Sequence, residues 1–416
     1  MGSTDRLSAA QQGEHIVETI TTPIHPTGIG SNAPDGPPAP PLLDPAGAHC
    51  ILGGSDPFVG PLAPTRHNLF GPRGAYLFSP DGPLWVADTG HHRLLGWKQC
   101  PTEDGQPADW VLGQPDFETE GRNAGGDTSA YTLNVPVGIH PWKEDGMIVA
   151  DSWNHRVLVW FKRPQSSNVP ADLILGQMDE TGDLPNHGQP DATASSMHWP
   201  SQVKIIGERL FVADTGNRRV LVWEQLPTQT GQPADYVLGQ KTLDARSDNG
   251  GEEATAGSLR WPHDLAFCRD TFMVADAGNN RVLIWDTLPT TSNPPADRVL
   301  GQKDFTQLNH NQGQYWPTAA SMNMPYAMDA CEHTVIVADT ANSRLLGWSW
   351  PLTSSAEAQT LTGQPHFLTK GDNRWQSPER DSLCWPYGLQ ISGDTIVISD
   401  SGNHRILFWR FAQGTS

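Results

Sequence analysis

One short block returns six times along the chain, and it restricts the fold more than any other feature: WVADTGHHRLLGW, IVADSWNHRVLVW, FVADTGNRRVLVW, MVADAGNNRVLIW, IVADTANSRLLGW and IVISDSGNHRILFW. Its acidic anchors are Asp88, Asp151, Asp214, Asp276, Asp339 and Asp400, spaced by 63, 63, 62, 63 and 61 residues. An arginine follows each anchor by five positions: Arg93, Arg156, Arg219, Arg281, Arg344 and Arg405. Each block closes on a tryptophan: Trp97, Trp160, Trp223, Trp285, Trp348 and Trp409. A fixed period of this length marks an array of equivalent units rather than a string of unrelated domains.

Each unit reads as four strands. A short Pro-containing run precedes the block, as in NVPVGI, HWPSQV and RWPHDL. The block supplies two more strands, one ending at VAD and one reading RVLVW. A fourth follows in ADWVLGQPDF, ADLILGQMD, ADYVLGQ and ADRVLGQKDF, decaying to AQTLTGQPHF in the fifth copy. Short β-branched and aromatic runs between Gly, Asn and Asp turns favour strands over helices. With 41 Gly and 36 Pro in 416 residues, the chain is rich in turns. After Trp409 only RFAQGTS remains, so the sixth unit lacks its own LGQ strand, and HCILGGSDPF at 49–58 offers a replacement. A missing strand supplied from the opposite end closes a ring and hides its edges. The expected fold is therefore all-β, a six-bladed β-propeller of four-stranded blades closed by an N-terminal strand, over residues 42–411. Residues 1–41, including APDGPPAPP, read as a flexible Pro/Gly-rich tail.

The VADxxNxR block resembles the NHL-repeat family over residues 49–410, most clearly at Asn154-His155-Arg156, Asn217-Arg218-Arg219 and Asn403-His404-Arg405. The resemblance implies a propeller. The period exceeds the family's usual unit, and the surplus lies between the fourth strand and the next Pro. Nine residues after the Gln of LGQ comes an Asn in five copies: Asn123, Asn186, Asn249, Asn311 and Asn373. Constant offsets imply ordered loops on one face, with Asn bonding its own backbone or adopting a left-handed conformation.

The formal net charge is −19, with 27 Lys plus Arg against 46 Asp plus Glu. Six arginines are claimed by the repeat, which leaves few cations for nucleic-acid phosphates. Five scattered cysteines without a CxxC suit neither a disulfide framework nor a metal knuckle. No apolar run is long enough for a membrane helix, and the first 20 residues lack the apolar stretch of a signal peptide. A cytoplasmic location is the expectation.

An Asp and an Arg repeated six times cannot serve one catalytic centre, so these pairs read as turn-fixing structure. Chemistry is expected where the repeat is broken. The residue after the repeat Pro is Arg73, Val137, Ser201, His263, Tyr326 and Tyr387 in turn, and the residue before it is Gly71, Val135, Trp199, Trp261, Met324 and Trp385. In a propeller these positions meet at the mouth of the axial channel. Arg73, Trp199, Trp261, His263, Asp264, Tyr326, Trp385 and Tyr387 are thus the pocket candidates. The competing expectation, slightly favoured, is that the large side chains plug the channel.

His198, His263 and Cys384 are the metal-ligand types nearest the axis, but they come from three different units. The peptidyl-amidating lyases, similar propellers of this family, set a His after the Pro in three blades and hold zinc there. Here only WPHDL, at His263, matches, so the resemblance argues against lyase activity, and no metal or cofactor is expected. RNA binding, which some NHL propellers perform through a basic face, fits the acidic charge poorly. The sequence-level expectation is a non-catalytic interaction platform, or an accessory or scaffold protein of a larger complex, a metalloenzyme included. A protein is the expected partner. The alternative is a small-ligand binder or lyase/hydrolase-type enzyme at the axial depression.

Overall fold

The computed structural model describes residues 34–54 and 63–413. Among these residues the chain forms six four-stranded antiparallel sheets, the blades I–VI of a propeller. Their inner strands are Gly74–Leu77, Pro136–Trp142, Pro200–Ile206, Pro262–Cys268, Pro325–Ala330 and Pro386–Ser392. Each packs against the inner strands of the blades on either side, so the ring is closed.

The core lies between blades. In blade II, Val157 and Val159 face the side chains of blade III, while Leu158 and Trp160 face blade I. Strand side chains alternate between faces, and here both faces are covered. That is why RVLVW is apolar at every position after its arginine.

The repeated charges build the corner between the second and third strands. All six Asp–Arg pairs form with Nε–Oδ2 distances of 2.7–2.9 Å and almost no exposure. The other carboxylate oxygen accepts the backbone N–H two residues before the repeat Pro, as at Phe70, Asn134 and His198, at 2.6–2.7 Å. The guanidinium then spends its remaining donors on loop carbonyls; Arg156 donates to Glu180, Ser129 and Thr132 at 2.8–2.9 Å. A buried ion pair is tolerable only with such complete pairing.

Five insertion loops, each with a short 3-10 turn, carry the Asn at the constant offset. These five Asn residues are left-handed, with φ of 49–52°. Each side-chain amide pairs with the repeat Asn of the next blade instead of its own backbone. Asn186 Nδ2 donates to Asn217 Oδ1 at 3.0 Å, and Asn217 Nδ2 returns a bond to Asn186 Oδ1 at 2.9 Å.

Closure uses both ends of the described chain. Cys50–Gly53 is the outer strand of blade VI and pairs antiparallel with Arg405–Phe408. In blades I–V the indole N–H of the block's Trp reaches a carbonyl eight or nine residues later, as from Trp97 to Gln106. In blade VI Trp409 instead donates to Asp44 at 2.8 Å.

Residues 39–41, within the expected tail, already pack on the ring. Ala39 N–H donates to Pro365 O at 3.2 Å, and Pro41 bridges Leu361 at the outer edge of blade V. Leu42 and Leu43 are buried there. Residues 1–33, the bulk of the expected tail, and 55–58 of the expected closing segment lie outside the described residues. No helix among the described residues is long and apolar enough to cross a membrane.

Candidate binding site at the axial mouth

The backbone, more than any single side chain, builds the mouth. In blades III–VI the repeat Pro pairs with the anchor Asp, and the ladder resumes two residues later; in blade II it resumes after three. The residue after the Pro is therefore left out of the ladder as a bulge, and bulges re-aim side chains. Val137, Ser201, His263, Tyr326 and Tyr387 are turned to the axis in this way, and Arg73 joins them from blade I. All six line one cavity of about 120 Å³.

The residue before the Pro is strained. Gly71, Val135, Trp199, Met324 and Trp385 have φ of 52–56°, a region uncommon for anything but glycine and most costly for a β-branched residue such as Val135. A clasp from the preceding blade holds these five. The N–H groups of Gly71, Val135 and Trp199 donate to Nδ1 of His404, His92 and His155 at 3.0–3.1 Å. Asn280 and Ser343 play the same part for Met324 and Trp385, at 2.9 and 3.3 Å. The sixth clasp position holds Arg218, which has no acceptor to offer and pairs with Asp248 at 2.6 Å. Trp261, left unclasped, relaxes to φ 105°.

Half the mouth is an aromatic stack. The ring of His263 lies 4.1 Å from Tyr326, Tyr326 lies 4.6 Å from Tyr387 at an interplanar angle of 27°, and the Arg73 guanidinium covers Tyr387 at 4.6 Å. These side chains narrow the channel and leave space above them. A second, mainly apolar cavity of about 410 Å³ opens between blades VI, I and II against Phe70, Trp153 and Trp385, and it shares Arg73, Trp153 and Tyr387 with the smaller one. Burial, with Arg73 nearby, pulls the pKa of His263 down to about 3, so its imidazole is neutral at physiological pH.

Asp264 reaches the wall of the smaller cavity beside His263, but its carboxylate is engaged by backbone. Its carboxylate accepts the N–H groups of Leu265 and Met328 at 2.7 and 2.8 Å, stitching blade IV to blade V, and burial raises its pKa to about 7. Asp329 and Gln390 make the equivalent stitches to Ile391 and Leu77. Deeper in the channel Lys204 lies 3.6 Å from Asp329. Burial works against its ammonium, but Asp329 and Asp264 outweigh burial and raise its pKa. Polar groups of the inner strands thus satisfy backbone amides that face the channel.

The metal-ligand types are not brought together. His198 packs on Trp199 at 4.4 Å, and Cys384 packs against Gly402, where burial raises its thiol pKa. Among the described residues no group of three or more His, Cys, Asp or Glu side chains is placed to hold a metal. Of the aromatic candidates, Trp199 lines the smaller cavity and Trp385 the larger, while Trp261 stands outside both.

Two residues escaped the sequence reading. Trp153 occupies the position where four units have Gly and one has Ala, a departure visible in the block itself. Arg122, in the first insertion loop, lies 4.9 Å from the Trp153 ring. Its loop position carried no signal.

Human NHL repeat-containing protein 2 is 22% identical to this chain over 360 residues, 78% of this chain and 44% of that protein. The chain is its distant homologue and spans under half its length. No family model matches. Similar solved structures include the WD40 β-propeller domain of Doa1, with a TM-score of 0.43, 8% identity, and 88% of this chain and 97% of that one covered. BBS1N in complex with ARL6DN gives 0.42 and 12%, covering 92% and 99%. Virginiamycin B lyase from Staphylococcus aureus gives 0.41 and 12%, covering 82% and 94%.

Proposed function

We propose that the protein is a non-catalytic interaction platform that docks a protein partner on the face where the inner strands open. One observation carries this reading. Phe70, Trp153, Trp199 and Trp261 surround the mouth at 42, 42, 47 and 36% exposure. Large aromatics left in water around a concavity are the residues that dominate protein interfaces when covered. The Asp–Arg pairs and Asp264 have no spare capacity for chemistry, because each is already engaged by its partner or by backbone. The five insertion loops differ in sequence and surround the same face, which suits recognition of one partner among many.

The test compares two faces. Trp153→Ser combined with Trp199→Ser should abolish stoichiometric co-purification of a partner from the native source. Phe161→Ser, at an exposed residue past the far end of the third strand of blade II and so on the opposite face, should retain it. A partner held equally by both variants would place docking elsewhere.

A further inference from the structure

We infer that the blade I–II side of the mouth recognises an acidic peptide segment, with an apolar side chain in the 410 Å³ cavity and neighbouring carboxylates on Arg73 and Arg122. This rests on the platform reading and specifies the partner's chemistry.

Two arginines with unused donors lie on this side; Arg163, stacked on Phe78 past the far end of the third strand of blade II, is in the same state on the opposite face. The six repeat arginines are saturated. Arg73 and Arg122, among the described residues, have no carboxylate within 4 Å and no side-chain hydrogen bond; each is only laid on an aromatic face, Tyr387 and Trp153. Arginine presents a planar fork of five donors suited to carboxylates. Stacking holds the fork in place without consuming those donors.

Both belong to one site. Trp153, under Arg122, walls both cavities, and Arg73 lines both as well. Arg122 also acts electrostatically on His92, another wall residue of the larger cavity, where it outweighs the opposite effect of Glu120. No carboxylate lines either cavity except Asp264, which is tied to two backbone amides. In a chain of net charge −19, this is a local positive spot with apolar walls. A cavity of this size fits one or two side chains, and its open side favours a segment lying across the mouth over an enclosed small molecule.

The charges also exclude. A basic segment would leave two cations facing like charge, so this corner selects acidic over basic partners.

The experiment pans a random peptide display library on the intact protein. Selected peptides should carry Asp or Glu beside Leu, Phe or Trp. Arg73→Gln and Arg122→Gln should each weaken them by about tenfold or more, the size expected for a lost charge-assisted bond. Lysine at either position should recover part of the loss. Melting temperatures should stay at the parent value, because neither side chain holds a hydrogen bond. Selected peptides that lack acids, or that bind both Gln variants like the parent yet lose affinity in Trp153→Ser, would overturn the acidic specificity and leave the platform standing. No selected peptide sensitive to Trp153→Ser would overturn both. Hydrocinnamate binding alone as tightly as the best peptide, read by tryptophan fluorescence, would reassign the site to a small acid and overturn the proposal.

Discussion

The corner between the second and third strands and the mouth beside it lie a few residues apart in every blade, yet they obey opposite rules. At the corner one Asp, one Arg and, in five blades, one Asn recur with the same partners and nearly the same distances. At the mouth the backbone recurs and the side chains do not. A bulge and a left-handed residue appear in blade after blade, but the groups they aim inward are Arg, Val, Ser, His and two Tyr. The corner is fixed because any change strands a buried charge. The mouth is free to vary because the bulge residue is absent from the ladder. Repetition therefore records what the fold requires, and its interruption records what the molecule can be used for.

The sharpest way to break this comparison is to remove closure. Deleting residues 1–53 takes away the outer strand of blade VI and the acceptor of the Trp409 indole. It should abolish cooperative thermal unfolding followed by circular dichroism. A truncated protein melting like the parent would mean that the ring holds without its seam.

Next in size is the corner. Arg219→Ala removes a fully buried guanidinium, leaving the Asp214 carboxylate short of its cationic partner and several carbonyls without donors. Loss of one partner of a buried pair costs about 3–5 kcal/mol. Denaturant titration should show that loss with no matching loss of partner affinity in the surviving folded fraction.

The clasps give a smaller effect with a definite sign. Burial, and then His198, pulls His155 down to about 3, and Nδ1 must stay unprotonated to accept the Trp199 N–H. The unfolded chain takes up a proton near the ordinary histidine value while the native state does not. Stability from this group is complete above about pH 6.5 and is lost as pH falls toward the folded pKa. His155→Asn keeps an acceptor, as Asn280 does in blade IV. It should flatten the stability slope between pH 4 and 6 by up to about 1.4 kcal/mol per pH unit. An unchanged slope would mean that His155 is already protonated in the native state.

The smallest effect belongs to the mouth. His263→Ala loses one ring contact with Tyr326, worth about 1 kcal/mol. Elemental analysis of the untagged protein should find no stoichiometric zinc. An equivalent of metal that vanishes in this variant would turn the mouth into a metal site.

The corner and the closure were legible in the sequence because each is stated several times. Six copies of the anchor gave the blade count, and the shortfall after Trp409 gave the seam. The reciprocal Asn pairs were not legible. Asn186 and Asn217 belong to different units, so their partnership becomes visible only when blades are placed side by side. The clasps were hidden for another reason: His, Asn and Ser share a role as acceptors but not a letter. At the mouth, Arg73 stood out as the cation among the post-Pro residues. Trp153 is legible as the one large residue where the other blocks carry Gly or Ala. Arg122 emerges only from the fold, because a loop residue gains its meaning from the ring it covers.

The pairing of Cys50 with Phe408 sets the order in which this molecule can be made. A ribosome delivers blades I to V with their neighbours in sequence, each able to pack as it emerges. The last sheet cannot assemble until almost the whole chain exists, because one of its strands was synthesised first and its partner nearly last. Until then the edge of Arg405–Arg410 and the apolar side of blade I stay uncovered, in the least local pairing of the structure and the one most exposed to misassembly. The same join is where the finished ring would open under tension, since a pull on the N-terminal segment first lifts residues 39–43 from the edge of blade V and then peels a single short strand from blade VI.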